Sequence, residues 1–184
     1  SVLTFAGDDG EYMYVSGRGS NTWKQQIHKI KVSGGTPTLV HDFGSGYQIQ
    51  SLEFSPMNSN VLAVGYLKDG WDNRICFLDI AEGTCNDFIA TQYTVHHGLA
   101  FTPDASKLVY FFYTGAPDYI HKVCEQSVTA DGNELCVDIT GNHAPTMGND
   151  LAVTPDGNYI IFTVKPAQRV FKITRGETLT IDYL

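Results

Sequence analysis

The chain repeats itself, and the repeat length constrains its fold more than any other feature. Three segments align at once: Leu52-Glu53-Phe54-Ser55-Pro56, Leu99-Ala100-Phe101-Thr102-Pro103-Asp104 and Leu151-Ala152-Val153-Thr154-Pro155-Asp156-Gly157. A degenerate fourth copy opens the chain as Leu3-Thr4-Phe5-Ala6-Gly7-Asp8-Asp9-Gly10. With Gly7, Pro56, Pro103 and Pro155 taken as equivalent, the spacings are 49, 47 and 52 residues. An aromatic-rich apolar run follows each turn, for example Leu108-Val109-Tyr110-Phe111-Phe112, and then a second run such as Ile27-His28-Lys29-Ile30. A Gly-containing turn leads to a last strand, as in Gly34-Gly35-Thr36-Pro37-Thr38-Leu39-Val40. Each unit therefore reads as four short strands separated by turn residues. A four-stranded unit repeated every ~40–50 residues is the blade of a β-propeller. The predicted fold is all-β, with four-stranded antiparallel blades at 1–46, 47–93, 94–145 and 146–184 forming a single propeller domain or segment. Strand a of each blade is the inner one and strand d the outer.

The turn after strand a, Thr154-Pro155-Asp156-Gly157 with Thr102-Pro103-Asp104-Ala105 close to it, carries a family resemblance. So do Ser16-Gly17-Arg18-Gly19, Gln26-Ile27-His28-Lys29-Ile30 and Gly34-Gly35. Over nearly its whole length the chain resembles the TolB-like, or PD40-type, branch of the WD40-like propellers. The first two blades depart from the motif, with Gly7-Asp8-Asp9-Gly10 and Ser55-Pro56-Met57-Asn58 at the turn. Trp71-Asp72 lies between strands b and c rather than ending strand c, which disfavours the WD40 branch proper.

Four blades are near the lower limit for a ring. The options are a small four-bladed ring, a two-chain assembly, or a segment of a longer propeller. The resemblance favours the last, because TolB-like propellers usually have six or seven blades. The N-terminus, without an initiator Met or a basic leader, reads as a processed product or a piece of something longer.

Twenty acidic and twelve basic residues give a net charge of −8, which argues against nucleic acid and against anionic membranes. No apolar stretch is long enough to span a bilayer as a helix. Four cysteines fit no zinc-knuckle or haem spacing, but the blade pattern pairs them. If Leu78 faces Gly83 around the turn Asp79-Ile80-Ala81-Glu82, Cys76 faces Cys85; a hairpin centred on Ala130 puts Cys124 opposite Cys136. Facing Cβ atoms are close enough to bridge after slight closure. Cys76–Cys85 and Cys124–Cys136 are the expected disulfides. Together with a charged fraction of only 17%, they point to an exported protein, periplasmic or extracellular.

Counting back from the prolines aligns Gln50, His97 and Asn149 at the starts of inner strands, with His96 and Asp150 beside them and His143 in an approaching loop. This channel rim is the candidate ligand site. Its imidazoles and oxygens suit a transition metal or acid–base work, or a polar binding surface. No cofactor is expected, and a rim-bound divalent metal would rest on no recognised motif. The b–c loops, with Trp23, Trp71 in a loop over 67–73, and Tyr113 and Tyr119 around 113–119, would present aromatics suited to a protein or carbohydrate interface. No nucleophile elbow, P-loop, dinucleotide fingerprint or zinc-protease motif occurs in the sequence. The leading expectation is thus a non-catalytic interaction or scaffold module that binds a protein partner, itself, or a surface polymer through its loop faces. One alternative is a metal-assisted polysaccharide lyase or hydrolase at the rim. The other is a structural subunit that assembles through open blade edges.

Overall fold

The computed structural model describes residues 3–6, 11–18, 25–70, 72–91, 98–113, 120–129, 134–139, 148–164 and 169–183. They form four antiparallel sheets of four strands each, and chain order is sheet order in every one. The first sheet holds β1 (Leu3–Ala6), β2 (Tyr12–Arg18), β3 (Gln25–Lys31) and β4 (Thr38–Gly44). The second holds β5 (Tyr47–Phe54), β6 (Val61–Lys68), β7 (Asp72–Asp79) and β8 (Thr84–Thr91). The third comprises β9 (Leu99–Phe101), β10 (Lys107–Tyr113), β11 (His121–Ser127) and β12 (Glu134–Asp138). The fourth comprises β13 (Gly148–Val153), β14 (Tyr159–Val164), β15 (Arg169–Thr174) and β16 (Thr180–Tyr183). Among the described residues there is no helix. The chain divides into two compact units, Ser1–Gln92 and Tyr93–Leu184, with two sheets in each.

The repeated turn has a repeated hydrogen-bond set. Thr102 Oγ1 donates to Asp104 Oδ1 at 2.5 Å and accepts from Lys107 N at 3.1 Å, while Asp104 Oδ1 accepts from Ser106 N at 3.1 Å. Thr154, Asp156, Asn158 and Tyr159 reproduce those bonds at 2.5, 3.0 and 3.0 Å. The hydroxyl of Thr102, then the amide and hydroxyl of Ser106, hold the Asp104 carboxyl down to about 2. In the second sheet Asn58 takes over instead, accepting from Asn60 N at 3.0 Å, and the next strand starts one residue later.

Alternation along the strands builds one core in each unit. In the first, Tyr14, Ile27, Leu52, Phe54, Leu62 and Val64 are buried together, with the Tyr14 and Phe54 rings 4.9 Å apart. In the second, Val109, Phe111, Leu151, Phe162, Phe171 and Ile173 pack from both sheets. Gly98 sits at the entry to β9, where a Cβ would lie 3.0 Å from the Phe111 ring, so no larger residue fits without displacing it. The second unit also buries a charge. Glu125 is 1% exposed and is bridged by Lys107 Nζ at 2.6 Å and by Arg175 Nε. Arg175 also donates to the Gly157 carbonyl, so its bridge to Glu125 ties the third sheet to the turn of the fourth.

Both expected disulfides form, Cys76–Cys85 and Cys124–Cys136. Cys124 and Cys136 face each other in the β11–β12 register, with Cα atoms 4.1 Å apart. Cys76 and Cys85 do not: Cys76 pairs with Asp87 and Cys85 with Leu78, so that bridge runs diagonally over a Cα separation of 5.6 Å. The turn lies one residue later than the sequence predicts. Asp79 Oδ1 caps it by accepting from Ala81 N (2.9 Å) and Glu82 N (3.0 Å), and Gly83 closes it at φ +70. The loop expected over 67–73 is likewise shorter. Lys68 pairs with Asp72, and Asp69 and Gly70 turn the chain at φ 51 and 81, the left-handed pair of a tight hairpin. Alkylation of the native, unreduced protein is expected to label none of the four cysteines. A Cys124→Ala/Cys136→Ala double variant should lose about 2–4 kcal/mol of stability by urea unfolding, because the unfolded chain regains its loop entropy.

Candidate functional site

The first unit contains a cavity of about 290 Å³ between the outer strand of the first sheet and one face of the second. Local pattern explains who lines it. Alternation puts Tyr66 and Lys68 on one face of β6, and the register pairs Tyr66 with Arg74 and Cys76 with Asp87. Tyr66, Arg74, Cys85 and Asp87 thus share a face. His41 and Phe43 come from β4, and Tyr47 opens β5. The crossing between the two sheets is tight: Asp69 N donates to the Gly46 carbonyl at 2.8 Å, and a Cβ on Gly46 would lie 2.5 Å from the Asp69 carboxylate.

The polar groups of the cleft are held by one another. Asp87 accepts from the Tyr66 hydroxyl at 2.8 Å and from Arg74, whose Nε donates to Asp72 at 2.9 Å. The guanidinium therefore lies between two carboxylates in a fixed orientation. Burial, reinforced by the hydrogen bond to Asp87, pushes the Tyr66 hydroxyl well above its ordinary range, so it remains a donor. His41 Nδ1 lies 2.7 Å from the Gly83 carbonyl. A carbonyl only accepts, so Nδ1 carries a proton and donates to it, which fixes the orientation of the ring. Phe43, Tyr47 and Tyr66 form an aromatic triangle with centroids 5.4–5.6 Å apart, and the Lys68 ammonium lies 5.6 Å from the Tyr47 centroid. The arrangement is a hydrogen-bonded polar cluster beside one aromatic wall.

Of the rim residues, His96, His97 and His143 lie outside the described residues, as do Trp23, Trp71 and Tyr119 among the loop aromatics. Tyr113 ends β10. Gln50 is buried, and its Oε1 and the neighbouring Ser51 Oγ have no hydrogen-bond partner among the described residues. Gln50 is the residue skipped where β5 bulges against β6, and Asn149 is the one skipped where β13 bulges against β14. The first strands of two sheets thus deform at the equivalent position. Asp150 is exposed and accepts from Leu151 N at 3.0 Å. Gln50 belongs to the first unit, Asn149 and Asp150 to the second. Cys124, Glu134 and Cys136 come within metal-holding distance of one another, but the disulfide removes both thiolates as ligands. The cleft escaped the sequence reading because its residues come from five strands and follow no local spacing.

No protein-family model matches the chain, and no curated protein matches it in sequence. Solved structures do match. Hydrazine synthase of Kuenenia stuttgartiensis superposes on 94% of this chain and 51% of its own, with a TM-score of 0.75 and 19% identity. A protein assigned as TolB from Agrobacterium tumefaciens covers 98% of this chain and 63% of its own, with a TM-score of 0.73 and 16% identity. A protein assigned as a 6-phosphogluconolactonase from Bacteroides uniformis covers 99% and 52%, with a TM-score of 0.61 and 14% identity. The fold is of the β-propeller type, with four blades in this chain. The chain spans between 51% and 63% of the length of these three structures. Their names span different chemistries, so the shared fold carries no single activity.

Proposed function

We propose that the chain is an exported, non-catalytic propeller-type module that recognises a protein or a surface polymer. The observation that carries this reading is the cleft of the first unit. Its Asp87, Tyr66 and Arg74 are locked in mutual hydrogen bonds beside an aromatic wall, an arrangement that orients a ligand without poising a group to react. The two disulfides support export, since such bonds persist in oxidising compartments. The aromatic b–c loops with Trp23, Trp71, Tyr113 and Tyr119 belong to the same reading as further contact surface, and the rim of Gln50, His96, His97, His143, Asn149 and Asp150 is its second candidate surface.

The test is surface plasmon resonance of the purified chain over two immobilised classes, envelope proteins and envelope polysaccharides. A saturable response from one class is expected, weakened about tenfold in an Arg74→Ala variant that unfolds at the wild-type temperature. Saturable binding that Arg74→Ala leaves unchanged, or none to either class, would overturn the cleft as the binding site.

A further inference from the structure

We infer that the cleft of the first unit binds a neutral pyranose ring of a glycan, stacked on Tyr47; this rests on the binding-module reading above. Three observations converge on that ligand. The first is size, since about 290 Å³ lies at the lower end of ligand pockets, enough for a ring-sized unit rather than a folded segment. The second is charge. Lys68 and Arg74 are matched within the cleft by Asp42 and Asp87, so formal charge cancels and the site selects neither a polyanion nor a polycation. The third is the kind of polar group presented. Donors and acceptors alternate over short distances: the Arg74 fork, the Asp87 carboxylate and the Tyr66 hydroxyl. Vicinal hydroxyls, each both donor and acceptor, can use the N–H groups of Arg74 and the lone pairs of Asp87 and Tyr66 that these mutual bonds leave over, which an apolar ligand cannot.

Tyr47 supplies the remaining element. Tyr47 and Phe43 are both half-buried, while Tyr66 is 6% exposed. Of the two reachable rings, Tyr47 is the one that also carries a hydroxyl and has the Lys68 ammonium 5.6 Å from its centroid, a further donor for a sugar bound there. The C–H face of a pyranose lies flat on such a ring with its hydroxyls projecting to the sides. The fixed guanidinium and carboxylate cost no side-chain ordering on binding, which favours specificity for a weakly hydrophobic ligand.

The experiment uses the full chain and titrates maltohexaose, cellohexaose and mannohexaose against hexagalacturonate, following tyrosine fluorescence and calorimetry. At least one neutral hexamer is expected to saturate the protein, with hexagalacturonate weaker by about tenfold or more. Tyr47→Ala should weaken the neutral hexamer by about tenfold, whereas Tyr47→Phe, which keeps the ring, should stay within about threefold. Met57→Ser, an exposed change outside the cleft, serves as the control for nonspecific loss. Tighter binding of hexagalacturonate, or equal affinities in Tyr47→Ala and wild type, would overturn the assignment. If no neutral hexamer binds but an envelope protein does so in an Arg74-dependent way, the sugar assignment falls and the binding-module reading stands. If nothing binds with any dependence on Arg74 or Tyr47, both fall.

Discussion

Replacing Arg175 with methionine is expected to cost about 3–5 kcal/mol of unfolding free energy, because it strands a buried carboxylate. Glu125 is 1% exposed and cannot recruit solvent when a partner is lost. Burial by itself would raise its pKa, but the hydrogen bonds of Arg175 and Lys107, with their charges, outweigh it and hold the carboxyl below its ordinary value. A carboxyl depressed in the folded state stabilises above its unfolded pKa, and that contribution is lost as pH falls through the folded value. Acid unfolding of the wild type should therefore steepen below the ordinary carboxylate range, and Arg175→Met should shift the transition to higher pH. Lys107, with its side chain 36% exposed, can share its charge with water and cannot replace the guanidinium. Removing both buried partners, as in Glu125→Leu/Arg175→Met, should recover most of the loss, since an apolar pair leaves no unpaired charge. Urea unfolding of the three proteins checks this, and a loss below about 1 kcal/mol in Arg175→Met would show that the triad is not what stabilises this unit.

Phe162→Ala is expected to destabilise by a similar about 3–5 kcal/mol, through a different cause. Phe162 is 1% exposed and stacks on its strand partner Phe171 at 5.1 Å and 18°. It also meets Phe111 of the third sheet edge-on at 5.7 Å and 76°. Removing the ring deletes transfer free energy, opens a cavity and breaks both aromatic pairs, each worth about 0.5–1.5 kcal/mol. Because the ring contacts both sheets of the unit, the backbone has little freedom to collapse into the gap. Val170→Ser, one residue from Phe171 but 40% exposed, should stay within about 0.5 kcal/mol. Guanidinium midpoints of the two variants compare them directly, and a Phe162→Ala loss no larger than that of Val170→Ser would mean that the inter-sheet packing is not the core of this unit.

The blades were legible because each is a local object. A meander needs only alternation and turn residues, and both recur near Pro103 and Pro155 with the same Thr–Asp hydrogen bonds. The cysteine pairs were legible for the same reason: each joins neighbouring strands across a hairpin. The register of the Cys76–Cys85 pair was not. Moving the turn by one residue shifts the pairing by two, and what decides the turn is the Asp79 cap and the conformation of Gly83. The bulges at Gln50 and Asn149 were half legible, in that alignment placed the two residues as equivalents without revealing that the strand skips them.

The buried triad and the cleft belong to another level. Glu125 reads in sequence as an ordinary strand residue, and only its neighbours from β10 and the end of β15 explain its burial. His41, Tyr47, Tyr66, Arg74 and Asp87 are spread over 47 positions with no motif spacing. The sequence by itself determined the number and order of the strands, the four-blade count and the cysteine partners, because short-range sterics and hydrogen bonds act between residues close along the chain. Only the tertiary structure decided which charges would be buried and which rings would share a wall. Those outcomes depend on two sheets packing face to face, and side-chain alternation alone does not specify which residue of the neighbouring sheet each side chain will meet.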